Sequence, residues 1–180
     1  MKNKLKIQHR LILPIVLLGV VALISNVLAV FNINNVNANA GVIVDEYMVS
    51  EAELEKIRHA MMNIHRLALS HIIAADHATM IQLVNEIKTE EAELDKKLTD
   101  YKIYISEEDK GTYDTLLEAY DSFKHSLVSL VCASADSKTQ EAYAVANGDV
   151  ADYSNMVEEK INTLYDAVSA QAETARSHLF

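Results

Sequence analysis

INNVNANAGVIVDEYMVSEAELEKIRHAMMNIHRLALSHIIAA, running from Ile33 to Ala75, is the stretch that decides the fold. A seam passes through Ile33, Val36, Ala40, Ile43, Tyr47, Ser50, Leu54, Ile57, Met61, Ile64, Ala68, His71 and Ala75 in steps alternating three and four. That spacing holds one stripe on one side of a helix and marks a coiled-coil-like face packed against partner helices. No proline interrupts the stretch, and its only glycine is Gly41. Directly upstream, Leu11 to Phe31 is apolar and carries no charge. A membrane anchor running straight into a long packed helix predicts a rod that carries a message. It points to a sensor before an enzyme.

The apolar run is long enough to cross roughly 30 Å of hydrocarbon at about 1.5 Å per helical residue. Pro14 sits in its first turn, where a missing N–H costs little. Ser25 and Asn26 are polar interruptions that a partner span could bond. Before Asn34 the only charges are Lys2, Lys4, Lys6 and Arg10, while the first acid is Asp45. Basic residues flanking a span stay in the cytoplasm, which predicts the N-terminus inside and the remainder outside. Ala38-Asn39-Ala40 resembles the cleavage site of a signal peptide. The apolar run is too long for a signal core, however, and the seam crosses that site unbroken, which favours a retained anchor. The expected division is a basic cytoplasmic N-terminus at 1–10, a transmembrane helix at 11–33 and an extracytoplasmic domain at 34–180.

Composition agrees with an all-α chain. Half of the 180 residues are hydrophobic, yet there are only four glycines and one proline, so long helices are weakly interrupted. A single cysteine, Cys132, excludes an intrachain disulfide and zinc sites built on paired cysteines. It reads as a small buried hydrophobe on a helix. The net charge is −10, and every acid lies beyond the anchor. An acidic exterior repels phosphates and argues against a nucleic-acid partner.

Three more helices follow the first, giving expected ranges of 34–75, 78–105, 107–135 and 138–180. The second seam is Met80, Val84, Ile87, Glu91, Leu94, Leu98, Tyr101 and Ile105. Ser106, followed by Glu107, Glu108 and Asp109, reads as an N-cap with acids in the first turn and has capping-box spacing to Asp109. The third seam is Tyr113, Leu116, Tyr120, Phe123, Leu127, Leu130 and Ser134, and Ala135-Asp136-Ser137 makes a turn. The fourth is Thr139, Tyr143, Ala146, Val150, Ser154, Val157, Ile161, Leu164, Val168, Gln171 and Ala175. Asn147-Gly148-Asp149 predicts a kink in it, with Asp149 capping the restart. The outer helices come to roughly 60 Å and the inner two to roughly 42 Å at the helical rise. Two long helices flanking two short ones predict an up-down-up-down antiparallel four-helix bundle whose excess length forms a membrane-side stalk. Phe180 should arrive at the height of Asn34, where a second span is expected to begin, so the chain reads either as a fragment or as the product of a truncated gene.

This layout, with Leu11–Ala40 running through Asn26, Asn32, Asn34 and Asn35 into the heptads, resembles the four-helix-bundle sensory domain of bacterial methyl-accepting chemotaxis receptors. The resemblance spans the whole chain and rests on architecture and hydrophobic pattern. It implies a ligand-sensing input module that dimerises through its first helix and binds a small molecule or a binding protein. Similar bundles feed histidine kinases and diguanylate cyclases, so the output stays open. The rival outside signalling is a membrane-tethered helical structural protein without a ligand.

A second stripe on the first helix runs Val44, Met48, Glu51, Glu55, Arg58, Met62, His65, Leu69 and Ile72. Apolar residues beside a complete seam suggest a wide core face or a dimer face, for which Met48, Glu55, Leu69 and Ile72 are the candidates. Arg58, Met62, His65 and Arg66 are the candidates for ligand contact. The resemblance implies first-helix arginines gripping a carboxylate, which a planar two-pronged guanidinium suits. Arg58 and Arg66 are available, although their spacing does not reproduce the family's motif, and Glu55–Arg58 equally fits a surface pair. At the far tip the seams gather His71, Asp76, His77, Met80, Ser134 and Thr139. His59, His65, His71 and His77 recur every six residues, but such residues turn around the helix and do not converge. The stronger metal signatures are missing, so no metal and no cofactor is expected. Ser50 and Gln171 read as register-setting polar residues. Tyr101, Tyr104, Tyr113 and Tyr120 fit helix packing, and no nucleophile–base set or phosphate loop is visible.

Overall fold

The computed structural model describes the backbone of residues 7–177 and their side chains except those of 7–13, 15, 35, 37–39 and 42–45. Lys2, Lys4, Lys6 and Phe180, and the side chains of Arg10, Ile43, Val44 and Asp45, therefore lie outside the described residues. Helix α1, Ile7–Val42, passes through a wide turn at Ile43–Met48 directly into α2, Val49–Ile72. Helix α3, His77–Tyr101, tightens into one narrow turn at Lys102–Tyr104. Helix α4 is Lys110–Ala135, and α5, Thr139–Val145, continues through a second wide turn at Ala146–Val150 into α6, Ala151–Ser177. Among the described residues there is no strand. The chain is an all-α antiparallel bundle preceded by an apolar helix.

In α1 the window Val16–Asn34 has a mean hydropathy of 2.4 and none of it is buried, so it is long and apolar enough to cross a membrane. With no neighbour there to cover them, Ile33 and Val36 of the first seam stay exposed. Burial starts at Ser50, where the other helices reach α2. From that height the seam is confirmed: Ser50, Leu54, Ile57, Met61, Ile64, Ala68 and His71 are all buried. Ala75 falls in the turn beyond α2 and is exposed.

Helix α4 supplies the most complete stripe. All seven residues of its seam, Tyr113 through Ser134, are buried, because α2, α5 and α6 all pack against it. Cys132 corrects its expectation: it is exposed, since it projects between Leu130 and Ser134 on the far side of the helix. Helix α3 is buried only at Ile87, Leu94, Leu98 and Tyr101, and Met80, Val84 and Glu91 are half-covered.

The turns follow local chemistry. Asp76, expected at the tip but not as a cap, caps α3: its carboxylate accepts from Thr79 N at 2.8 Å and Thr79 Oγ1 at 3.0 Å. Ser106 Oγ accepts from Asp109 N at 3.2 Å and donates to Asp109 Oδ2 at 2.6 Å, but regular α-helix begins only at Lys110. Ser137 closes the α4–α5 turn with φ 60°, the left-handed position that glycine usually takes, while Lys138 N bonds Ala133 O at 3.0 Å. The kink comes where expected, at Gly148 (φ −99°, ψ −109°). There Asn147 supplies the side-chain bond, Nδ2 donating to Tyr143 O at 2.9 Å. A wide turn takes up an extra residue, so the seam upstream of it slips by one: Ala142 is buried and the expected Tyr143 is exposed.

Candidate functional site

Polar bonds tie the helices together at fixed heights. Ser50 Oγ and the Tyr101 hydroxyl lie 2.9 Å apart at the end of the core nearest α1. Ser169 Oγ donates to Glu51 Oε1 at 2.6 Å, joining α6 to α2. One step further out, Arg58 reaches α6, with Nη2 donating to Asn162 Oδ1 at 2.8 Å and Nη1 to Glu158 Oε1 at 3.4 Å. Its Nε lies 3.3 Å from Glu55 Oε1 without hydrogen-bond alignment. Arg58 thus contacts the protomer's own last helix with most of its guanidinium. Gln171, by contrast with Ser50, is exposed and sets no buried register.

The other three ligand candidates do come together. Met62, His65 and Arg66 line a shallow groove of about 480 Å³ on the outer side of α2, with Leu69, Ile73 and Tyr143. Met62 is 61% exposed, and the half-buried His65 ring meets Phe123 edge-on at 6.3 Å between centroids. Burial pushes His65 below the usual imidazole range. Arg66 Nη2 and Nε both donate to Asn63 Oδ1, at 2.8 and 3.2 Å, and Asn63 in turn donates to Glu90 of α3 at 2.7 Å.

Of the dimer candidates, Met48 and Leu69 present apolar surface, 57% and 41% exposed, and Glu55 lies half-exposed between them. Ile72 does not belong with them. It is 6% exposed and joins the protomer's own core, because it sits with the buried Ala68 and His71 on the inward side of the last turns of α2.

At the tip, His71 is buried and its Nδ1 lies 2.9 Å from Ser134 Oγ, while that hydroxyl donates to His71 O at 3.1 Å. The hydroxyl has one proton to give, so the two contacts form together only in the tautomer that carries its hydrogen on Nδ1. Burial first, then the nearby His77, pushes His71 below its ordinary value. Among the described residues no three His, Cys, Asp or Glu side chains gather as a metal site.

A cavity of about 760 Å³ was not foreseen from the sequence. It runs between α3 and α4 and down to the turn that joins them. Tyr113 and Tyr120 of α4 stand at its floor and reach α3, their hydroxyls donating to Leu98 O at 2.6 Å and Glu91 O at 3.4 Å. The first bond has a local cause. Where α3 tightens, Lys102 N turns to Thr99 O and leaves the Leu98 carbonyl for the tyrosine. Buried among Asp95 and Glu91, the Tyr120 hydroxyl is held far above the usual phenol range. Burial also raises the Glu91 carboxyl.

An apolar membrane-length helix feeding an antiparallel bundle with polar ties between its first and last helices defines a helical sensory module. A family model described as a four helix bundle sensory module for signal transduction matches residues 4–178, nearly the whole chain, and the protein belongs to that family. The family is a sensory module and not a catalytic domain. No curated protein matches the chain.

Proposed function

We propose that this chain is the ligand-sensing input module of a membrane-bound chemotaxis receptor, with the N-terminus inside and the bundle outside. The observation that carries the reading is the pairing of α2, continuous with the membrane-length helix, and α6, which returns beside it. Serine, arginine and asparagine bonds join the two at separate heights. Anything that displaces α6 must strain those bonds, and α2 is fixed by its anchor. Such a module carries out no chemical step of its own.

The module is a homodimer in this reading. Met48, Glu55, Met62 and Leu69 fall at seven-residue intervals on the outer side of α2, the spacing of a packed helix pair. The groove of Met62, His65 and Arg66 lies on the same side, so a small molecule or a binding protein bound there would contact both protomers. Arg66 keeps a guanidinium nitrogen for a carboxylate. Arg58 is a poorer choice because α6 already holds it.

Two measurements on the full chain in lipid nanodiscs test this. Leu69→Cys, in a Cys132→Ser background, should form a disulfide-linked dimer under mild oxidation, and Lys96→Cys on α3 should not. Equal cross-linking at both positions would remove the dimer. A ligand that binds only the folded state must raise the melting temperature. Screening amino acids, organic acids and divalent metals without any shift would favour a membrane-tethered structural protein.

A further inference from the structure

The α3–α4 groove has two unlike ends. At the membrane-side end stand Lys102 and Lys110, on opposite helices, and neither pairs with a carboxylate among the described residues. Glu107 shares that rim, and Asp114 lines the groove one turn along α4 from Lys110. At the other end lie Asp95 and Asp121. The Lys124 ammonium sits there, 4.7 Å from the Tyr120 ring centroid and 3.2 Å from Asp95 Oδ1.

That last arrangement is informative. A carboxylate beside an aromatic face is how an alkylammonium is recognised, and the chain's own lysine already satisfies the pattern. Asp121 remains for a second ammonium, 3.5 Å from His125 Nδ1. Between the ends, the floor of Leu98, Leu117 and the two tyrosine rings is apolar, with Thr99 and Asp114 at its edges.

The separation of the ends sets the length of what fits. Asp95 to Lys102 is seven residues along α3, about 10 Å, and Lys110 to Asp121 is eleven along α4, about 16 Å. The ammonium and carboxylate of a single amino acid share one carbon and cannot span that distance. An extended peptide advances about 3.3–3.6 Å per residue, so about three to five residues reach from one end to the other. We propose that the α3–α4 groove binds a short linear peptide with free termini, its carboxylate at Lys102 and Lys110 and its ammonium at Asp121 and Asp95. Small side chains would face the apolar floor. The assignment is separate from the α2 groove and stands whether or not that groove binds anything.

Titration calorimetry on the full chain in nanodiscs tests it with tetra-alanine as the probe. The free-ended peptide should bind saturably, and N-acetylation or C-amidation should each weaken it at least about tenfold, as expected for losing a charge-assisted bond. The double variant Lys102→Gln/Lys110→Gln should bind the free peptide no better than wild type binds the amide, and should not distinguish the two. Asp121→Asn should do the same for the acetylated end. Arg66→Gln should leave peptide affinity unchanged, which separates this site from the one on α2. All these side chains lie at the surface, and far-UV circular dichroism checks that each variant is folded. No saturable binding at about 10 mM peptide would overturn the proposal. So would binding indifferent to the lysine pair, or spermidine binding as tightly as the peptide, which would make the groove a plain cation site.

Discussion

Two helix pairs in this bundle are held in opposite ways. Where α6 returns beside α2, Leu54, Ile57, Met61 and Ile64 share one core with Val157, Ile161 and Leu164, and polar bonds line the edge. Where α4 rises beside α3, tyrosines prop the helices apart and reach across to backbone carbonyls. The first pair is close-packed, and close-packed interiors transmit strain. The second leaves an open, charged cleft. One bundle therefore offers a stiff side continuous with the apolar helix α1 and a side with an open cleft.

The sharpest break of that contrast is Ile161→Ala. At 1% exposure this residue should cost about 2–5 kcal/mol of stability, read as a lower urea midpoint at unchanged slope. A much smaller loss would mean the α2–α6 side is looser than described. On the propped side, Tyr113→Phe keeps the ring and removes the hydroxyl, leaving the Leu98 carbonyl without its donor. That should cost about 1–3 kcal/mol in the same assay.

Acid should act on the side of α2 that faces the tip. His65 and His71 are held below the ordinary value of 6.5, so the unfolded chain binds more protons than the folded one just below that pH. Stability should be full above 6.5 and fall as the pH drops through the folded values. His71→Asn can still donate toward Ser134, and it should flatten the melting temperature between neutral and mildly acidic pH. The smallest effect should be a gain. Ser137→Gly relieves the left-handed backbone at φ 60° and should raise stability by roughly 0.5–1 kcal/mol, a thermal shift of a few degrees.

Much of the fold was legible because periodicity is local. The α4 stripe was read without error, since every seam residue there meets a neighbour. Errors came where a non-local contact or a change of helical pitch intervened. Ile72 shares its stripe with Leu69, yet it is buried with Ala68 and His71 while Leu69 stays exposed. Tyr143 was placed on the seam, and the wide turn at Ala146–Val150 moved Ala142 there instead. Cys132 was assigned by residue type alone, and its angular position put it outside.

The candidate site was less legible. Met62, His65 and Arg66 could be grouped because they share one turn of helix. Arg58 could not be placed, since its partners Glu158 and Asn162 are a hundred or more residues away in sequence. The α3–α4 groove left no signal at all: its lysines and aspartates read singly as solvated surface.

From its sequence alone the chain determined the membrane-length helix, the continuity of that helix with the bundle and the core stripes of the helices, because these depend on neighbours within a few residues. Only the tertiary structure decided which faces stayed open. Whether a stripe is core, dimer face or groove wall depends on what distant helix arrives beside it, and on whether it arrives with a leucine or with a tyrosine that holds it off.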